Sequence, residues 1–193
     1  GSASGMGEAT LKAYVKAGAN VVGMDISDQK GKEISLNADK TGPGKCSFIQ
    51  IDVSDKDSVK NAFDLALGEL KALDVLAHPA AIQGPADASN VKVEDWDNMF
   101  AVNVRGTMLT NQTAFKYMKE NGSGSIINFG SISGLRPEPS ASAYSAAKGA
   151  VHSWTRTAAG TWGKFNIRVN AILPAIATPM YYAARKRSTE EEN

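Results

Sequence analysis

The run GSASGMGEATLKAYVKAGANVVGMDI, residues 1–26, decides the reading of the fold. Gly1, Gly5 and Gly7 follow a G-x-x-x-G-x-G spacing, in which glycine permits positive φ and a close backbone approach to a phosphate. Residues 8–17 predict a helix, with Ala9, Leu11, Tyr14, Val15 and Ala17 on its apolar side and Gly18 and Asn20 ending it. A helix N-terminus attracts anions, so a glycine turn that opens a helix suits a pyrophosphate. NVVGMDI, residues 20–26, then predicts a strand without clean alternation, the pattern of a strand covered on both faces.

The same unit recurs along the chain. CSFIQIDV (46–53) is a second strand, and a helix over 55–69 starts at the capping-type pair Ser54 and Asp55. LDVLAHPAAI (73–82) supplies a strand and its exit loop, and 94–120 a long helix with irregularity around Asn103 and Gly106. GSIINFGS (124–131) and IRVNAIL (167–173) are strands on either side of a helix over 142–163 that carries Trp154 and Trp162. Strand, loop and helix in repetition predict an α/β fold, a Rossmann-like doubly wound parallel sheet with helices on both faces. One dinucleotide-binding and catalytic domain is expected over residues 1–193. A phosphate turn normally joins a buried strand to its helix. The chain is therefore expected to lack the first strand of such a sheet, ahead of Gly1, and the last, after Met180.

Composition narrows the function classes. Apolar residues make up 42% of the 193, enough for a sizeable core. Lysine and arginine number 21 against 20 acidic residues, so charge gives no case for nucleic acid or an anionic membrane. The basic run Arg185-Lys186-Arg187 is followed by Glu190, Glu191 and Glu192 and reads as a solvated end. Cys46 is the only cysteine, which excludes an intrachain disulfide and a thiolate metal cluster. His78 and His152 are too few and too far apart for a zinc site, and no metal is expected. Without an 18-residue apolar stretch or a basic-then-apolar leader, the expected location is cytoplasmic.

The candidate chemistry lies in AYSAAKGAV, residues 143–151. Tyr144 and Lys148 stand four residues apart on one side of a helix, where an ammonium near a phenol favours the phenolate. Ser131 places a hydroxyl at a strand's carboxyl end, the edge at which open α/β sheets handle ligands. Asn103 is a poor helix former in mid-helix, expected at a local distortion where it can hold a water. Asp25, 18 residues after Gly7, ends a strand where a carboxylate accepts hydrogen bonds from an adenosine ribose and repels a 2′-phosphate, which predicts NAD(H) over NADP(H). Asp52 either meets an adenine amino group, with Val53 beside the ring, or caps the helix over 55–69.

In this order, the glycine turn, NVRG at 103–106, Ser131, Tyr144-Ser-Ala-Ala-Lys148 and the segment from Pro174 to Met180 resemble the short-chain dehydrogenase/reductase family. The resemblance spans nearly the whole chain. It implies hydride transfer between nicotinamide C4 and a carbonyl or alcohol carbon, with Tyr144 as general acid/base. Lys148 would hold the nicotinamide ribose and tune Tyr144, Ser131 would orient the substrate oxygen, and Asn103 would support a water in the proton relay. The implied NAD site comprises Gly1, Ser4, Gly5, Met6, Gly7, Asp25, Ile26, Asp52, Val53, His78, Ala80, Tyr144, Lys148 and Pro174, with Ile176 and Thr178 at the carboxamide. His78-Pro79-Ala80-Ala81 departs from the family's Asn-Asn-Ala-Gly, and Ala175 replaces a glycine after Pro174. His78 can still donate and accept hydrogen bonds as the asparagine does.

The expected substrate is a small-molecule secondary alcohol or ketone, met by the loop 82–93, by 132–142 and by residues after Met180. Tyr181 and Tyr182 would line an apolar pocket suited to a cyclic or bulky compound. A homo-oligomer is expected through the helices over 94–120 and 142–163, a tetramer ahead of a dimer. A second reading is a catalytically weak or inactive NAD-binding module with a regulatory or structural role. A third, a sugar-nucleotide epimerase or dehydratase, resembles longer chains with a larger second domain.

Overall fold

The computed structural model describes residues 1–176. Thr178, Tyr181, Tyr182, the basic run and the strand expected after Met180 lie outside the described residues. Strands and helices alternate as α1 (Gly5–Lys16), β1 (Asn20–Asp25), α2 (Asp28–Asp39), β2 (Lys45–Gln50), α3 (Lys56–Leu70) and β3 (Val75–His78). They continue as α4 (Val93–Phe100), α5 (Gly106–Asn121), β4 (Gly124–Phe129), α6 (Ser142–Trp162) and β5 (Ile167–Ile172). All pairings between these strands are parallel: β1 with β2, and β4 between β3 and β5. The result is the Rossmann-like α/β fold that the repeating unit predicts.

The strands form two ladders. Between β1 and β3 lies an apolar cavity of about 340 Å³, walled by Val21 to Met24, Leu73 to His78, and side chains of α1 and α3. The glycine turn bridges the ladders at their carboxyl ends. Ser2 N–H donates to the Met24 carbonyl at 2.9 Å, and a Cβ on Gly1 would stand 2.6 Å from Ala80 N. The main core joins Ile51, Val53 and Phe63 to Met118, Ile126, Trp162 and Ile167. A second one, of Leu11, Val15, Ile34 and Ala38, holds α1 against α2.

Helix α2 has no counterpart in the sequence reading. Its buried face is Gly31, Ile34, Ser35 and Ala38, at helical spacing but largely small, so the hydrophobic period is faint. The small residues serve packing, since a Cβ on Gly31 would run into the Phe48 ring. The irregularity expected near Asn103 is a π-helical segment, Ala101–Arg105, between α4 and α5. The cap of α3 is Asp55, whose carboxylate accepts the Ser58 N–H at 2.6 Å. Of the two readings of Asp52, the helix cap therefore falls away.

Candidate active site

Parallel pairing puts the carboxyl ends of the strands where their exits can share a crevice, and every predicted site residue among the described ones except Asn103, Tyr144 and Lys148 lies at such an exit or in the glycine turn. Gly5 adopts φ +53°, a conformation that a side chain disfavours. A Cβ on Gly7 would overlap the Gly1 carbonyl and stand 3.0 Å from Pro79 Cγ. Packed this tightly against the exit of β3, the turn leaves the Gly5, Met6 and Gly7 N–H groups at the start of α1 without intrahelical acceptors. Ser4 is the N-cap residue, its carbonyl accepting Glu8 N–H at 3.1 Å. Free N–H groups at a helix start suit an anion such as a phosphate.

Asp25 ends β1 beside the turn. Its Oδ2 accepts Ala3 N–H at 3.0 Å and its Oδ1 accepts Ser27 N–H at 2.9 Å, so the carboxylate is held in place next to the exposed Ile26. Asp52 Oδ1 accepts from the Ser54 N–H and hydroxyl at 2.8 and 2.7 Å. Val53 packs on Gly106, where a Cβ would come within 2.8 Å of its Cγ2.

His78, at the end of β3, is buried, and its Nδ1 lies 3.1 Å from Thr110 Oγ1. The Thr110 hydroxyl donates to the Gly106 carbonyl at 2.8 Å, so it accepts from His78, which puts the ring proton on Nδ1. Nε2 is then a bare acceptor, buried without a partner. Burial above all holds the imidazole neutral, lowering its pKa to about 3.

Tyr144 and Lys148 share one face of α6, with the Lys148 Nζ 5.6 Å from the Tyr144 ring centroid. The ammonium donates to the Phe129 carbonyl at 2.7 Å. This corrects the expected direction of the phenol's titration. Burial raises the Tyr144 pKa, opposed by a hydrogen bond from the Ser131 side chain, while Lys148 binds main chain. Burial also lowers the Lys148 pKa, to about 8. Ser131 follows β4, and its Oγ accepts Ser133 N–H at 3.2 Å. The Ser131 side chain therefore lies beside the Tyr144 phenol.

Asn103 is 1% exposed. Its amide grips one residue of the loop after β3: Oδ1 accepts Ile82 N–H at 2.8 Å, and Nδ2 donates to Ile82 O at 2.9 Å. The side chain expected to hold a water holds this loop. Farther along, Ala86 pairs with Ala141 in a parallel bridge, and Ser142 donates to Ala86 O through both N–H and hydroxyl at 3.0 Å. The two loops expected to meet substrate are joined there. Pro174 and the exposed Ile176 follow β5 on the same edge. The sequence reading misses His152, whose Nε2 accepts Ser131 N–H at 3.2 Å; its one legible signal is that it extends the spacing of Tyr144 and Lys148 by four residues. Among the described residues, no group of three or more His, Cys, Asp or Glu side chains could hold a metal ion, and no helix is long and apolar enough to cross a membrane.

A Rossmann-like sheet with a glycine turn opening a helix at one strand exit and a phenol, hydroxyl and ammonium beside another is the arrangement of dinucleotide-dependent proteins. The chain belongs to the short-chain dehydrogenases: the model of the family described as short chain dehydrogenase matches residues 1–189. It is 35% identical over 181 residues to a cyclopentanol dehydrogenase of Comamonas sp., covering 93% of this chain and 72% of that protein. A cis-4-hydroxycyclohexanecarboxylate dehydrogenase of Sinomonas cyclohexanicum is 36% identical over 182 residues, with the same coverage of 93% and 72%. The crystal structure of levodione reductase superposes with a TM-score of 0.94 at 28% identity, over 98% of this chain and 75% of that one. The family is one of oxidoreductases, and the curated relatives named here are dehydrogenases.

Proposed function

We propose that the protein, a single dinucleotide-binding and catalytic domain, moves a hydride between NAD(H) and a cyclic secondary alcohol or ketone, with Tyr144 as general acid/base. The observation that carries this reading is the convergence of Tyr144 and Ser131 beside Lys148 at the exit of β4. The glycine turn at Gly1 to Gly7 fits a pyrophosphate, and Asp25, already oriented by two backbone N–H groups, fits an unphosphorylated adenosine ribose. NAD(H), when bound, supplies or takes the hydride at nicotinamide C4. Met6 and Gly7 N–H groups would hold the phosphates, Ile26, Asp52 and Val53 would meet the adenine, and His78, Ala80, Pro174 and Ile176 would line the nicotinamide half, to which Thr178, outside the described residues, would add. Lys148 would hold the nicotinamide ribose.

For reduction, Ser131 and Tyr144 donate hydrogen bonds to the carbonyl oxygen, and the Tyr144 proton moves to it as negative charge develops. In oxidation Tyr144 removes the alcohol proton. Asn103 contributes by fixing Ile82 on the substrate side. The cyclic rings named for the two dehydrogenase relatives support this substrate class. Assembly as a homo-oligomer, a tetramer ahead of a dimer, would use the groove between α4, α5 and α6 that Phe100, Val104, Met108 and Trp154 line. A cytoplasmic location completes the reading.

The experiment is a screen of cyclopentanol, substituted cyclohexanols and their ketones with both coenzymes, followed at the NADH absorbance. NAD+ should be preferred over NADP+ by a factor of about ten or more, equivalent to ~1.4 kcal/mol, and Asp25→Ala should narrow that preference. Preference for NADP+ would refute the role of Asp25. Tight NAD binding without turnover of any compound would favour the regulatory module instead.

A further inference from the structure

We infer that His152 is a positioning residue for Ser131, acting through the serine's backbone N–H; the inference rests on the dehydrogenase reading above. The ring is 5% exposed, and its Nε2 accepts Ser131 N–H at 3.2 Å. Accepting there requires a lone pair on Nε2, so the ring proton sits on Nδ1, which is buried without a partner. A serine hydroxyl can be held through its own oxygen only at the expense of the hydrogen bonds needed for substrate. Holding the backbone beside it places the serine without adding to the bonds that its oxygen already makes to Ser133.

The loop is shaped to admit the ring. A Cβ on Gly130 would meet Nε2 and stand 2.7 Å from Cδ2, and one on Gly134 would stand 2.8 Å from Cε1. The glycines flank Ser131, so the imidazole is wedged against the loop from both sides. Lys148 fixes the Phe129 carbonyl at 2.7 Å, two residues before the point that His152 fixes. Both anchors descend from α6, one turn apart, and the next turn toward its N-terminus carries Tyr144. The Ser131 hydroxyl is thereby registered to the helix that carries the phenol. The Ser131 hydroxyl already bonds within its own loop, accepting Ser133 N–H and donating to Ser133 Oγ, each at 3.2 Å, so it is the placement of the loop's backbone that decides where the hydroxyl stands relative to α6. Burial, with Arg156 and Lys148 nearby, lowers the His152 pKa and preserves the acceptor.

The test compares wild type with His152→Leu, which lacks an acceptor, and His152→Gln, which retains one. Amide hydrogen exchange of Ser131 and the ¹⁵N tautomer of His152 are read without coenzyme; kcat, KM and coenzyme Kd follow. In the leucine variant, Ser131 exchange should quicken about tenfold, the worth of one hydrogen bond. Its kcat should fall by about 10- to 100-fold, the scale of a small misplacement, with coenzyme Kd unchanged. Glutamine should restore both exchange and kcat toward wild type. Equal Ser131 exchange in all three proteins, an unchanged kcat in the leucine variant, or failure of glutamine to rescue would overturn the assignment. A wild-type ring protonated on Nε2 would overturn it even if the leucine variant did not fold. A wild type that turns over no substrate would sink the dehydrogenase reading and this role with it, whereas the exchange and tautomer measurements judge the contact alone.

Discussion

Replacing Tyr144 with phenylalanine is expected to lower kcat by about a thousandfold, the scale of a lost general acid/base, and to leave coenzyme Kd within a factor of about two. The change is clean because the ring has a structural role as well. Tyr144 packs against the small cluster of Met99, Ala143 and Ala147, and phenylalanine keeps that contact. Lys148 does not depend on the phenol for its place, since the Phe129 carbonyl holds its ammonium. What disappears is one hydroxyl, with its proton, beside the Ser131 side chain. Because burial raises the phenol's pKa, the group is protonated at neutral pH in the coenzyme-free protein and ready to give a proton. Ketone reduction should therefore proceed at neutral pH, and alcohol oxidation, which needs the phenolate, should accelerate as pH rises. Steady-state rates in both directions across pH 6–10 check this, and a phenylalanine variant with more than about a tenth of wild-type turnover would remove Tyr144 from its role.

The residues that carry this chemistry are legible because their signals are local. Tyr144 and Lys148 announce a common helix face by their spacing, Ser131 follows an apolar run, and Asn103 is a residue type that regular helix does not favour. The partners of those residues are not legible. Lys148 spends its proton on Phe129, 19 residues away, and Asn103 its amide on Ile82, 21 residues away. Both partners are main-chain atoms, which look the same at every position of a sequence. His152 is hidden for the same reason: its function is defined by an N–H that any residue at 131 would offer. The direction of the Tyr144 shift failed because it depends on where an amine points, which packing decides. Helix α2 was hidden by a stripe of small side chains that fit closely without being strongly apolar. Residue type and spacing reveal which groups are present; the fold determines which atoms they meet.

His78 should make the protein acid-labile. Its folded pKa is about 3, below the 6.5 of an unperturbed histidine. Between these values the unfolded chain binds a proton that the folded one refuses, so stability rises with pH across the window and is lost as pH falls from 6.5 towards 3. Over the whole window the loss reaches about 5 kcal/mol, against a total stability of roughly 5–15 kcal/mol for a domain. Carboxylates also lose stability in acid, so the contribution needs isolating. His78→Asn does this, because an amide can donate to the Thr110 hydroxyl as Nδ1 does and has no proton to gain. Urea unfolding at pH 4–7 should give a wild-type stability that falls relative to the variant by about 1.4 kcal/mol for each unit of acidification. Parallel curves would mean that the ring accepts its second proton without unfolding, through the Nε2 atom that now stands unpartnered. The histidine at the exit of β3 would then be tolerated because water reaches the ring, and the strand-end packing around Gly1 and Ala80 would be looser than the close approach there requires.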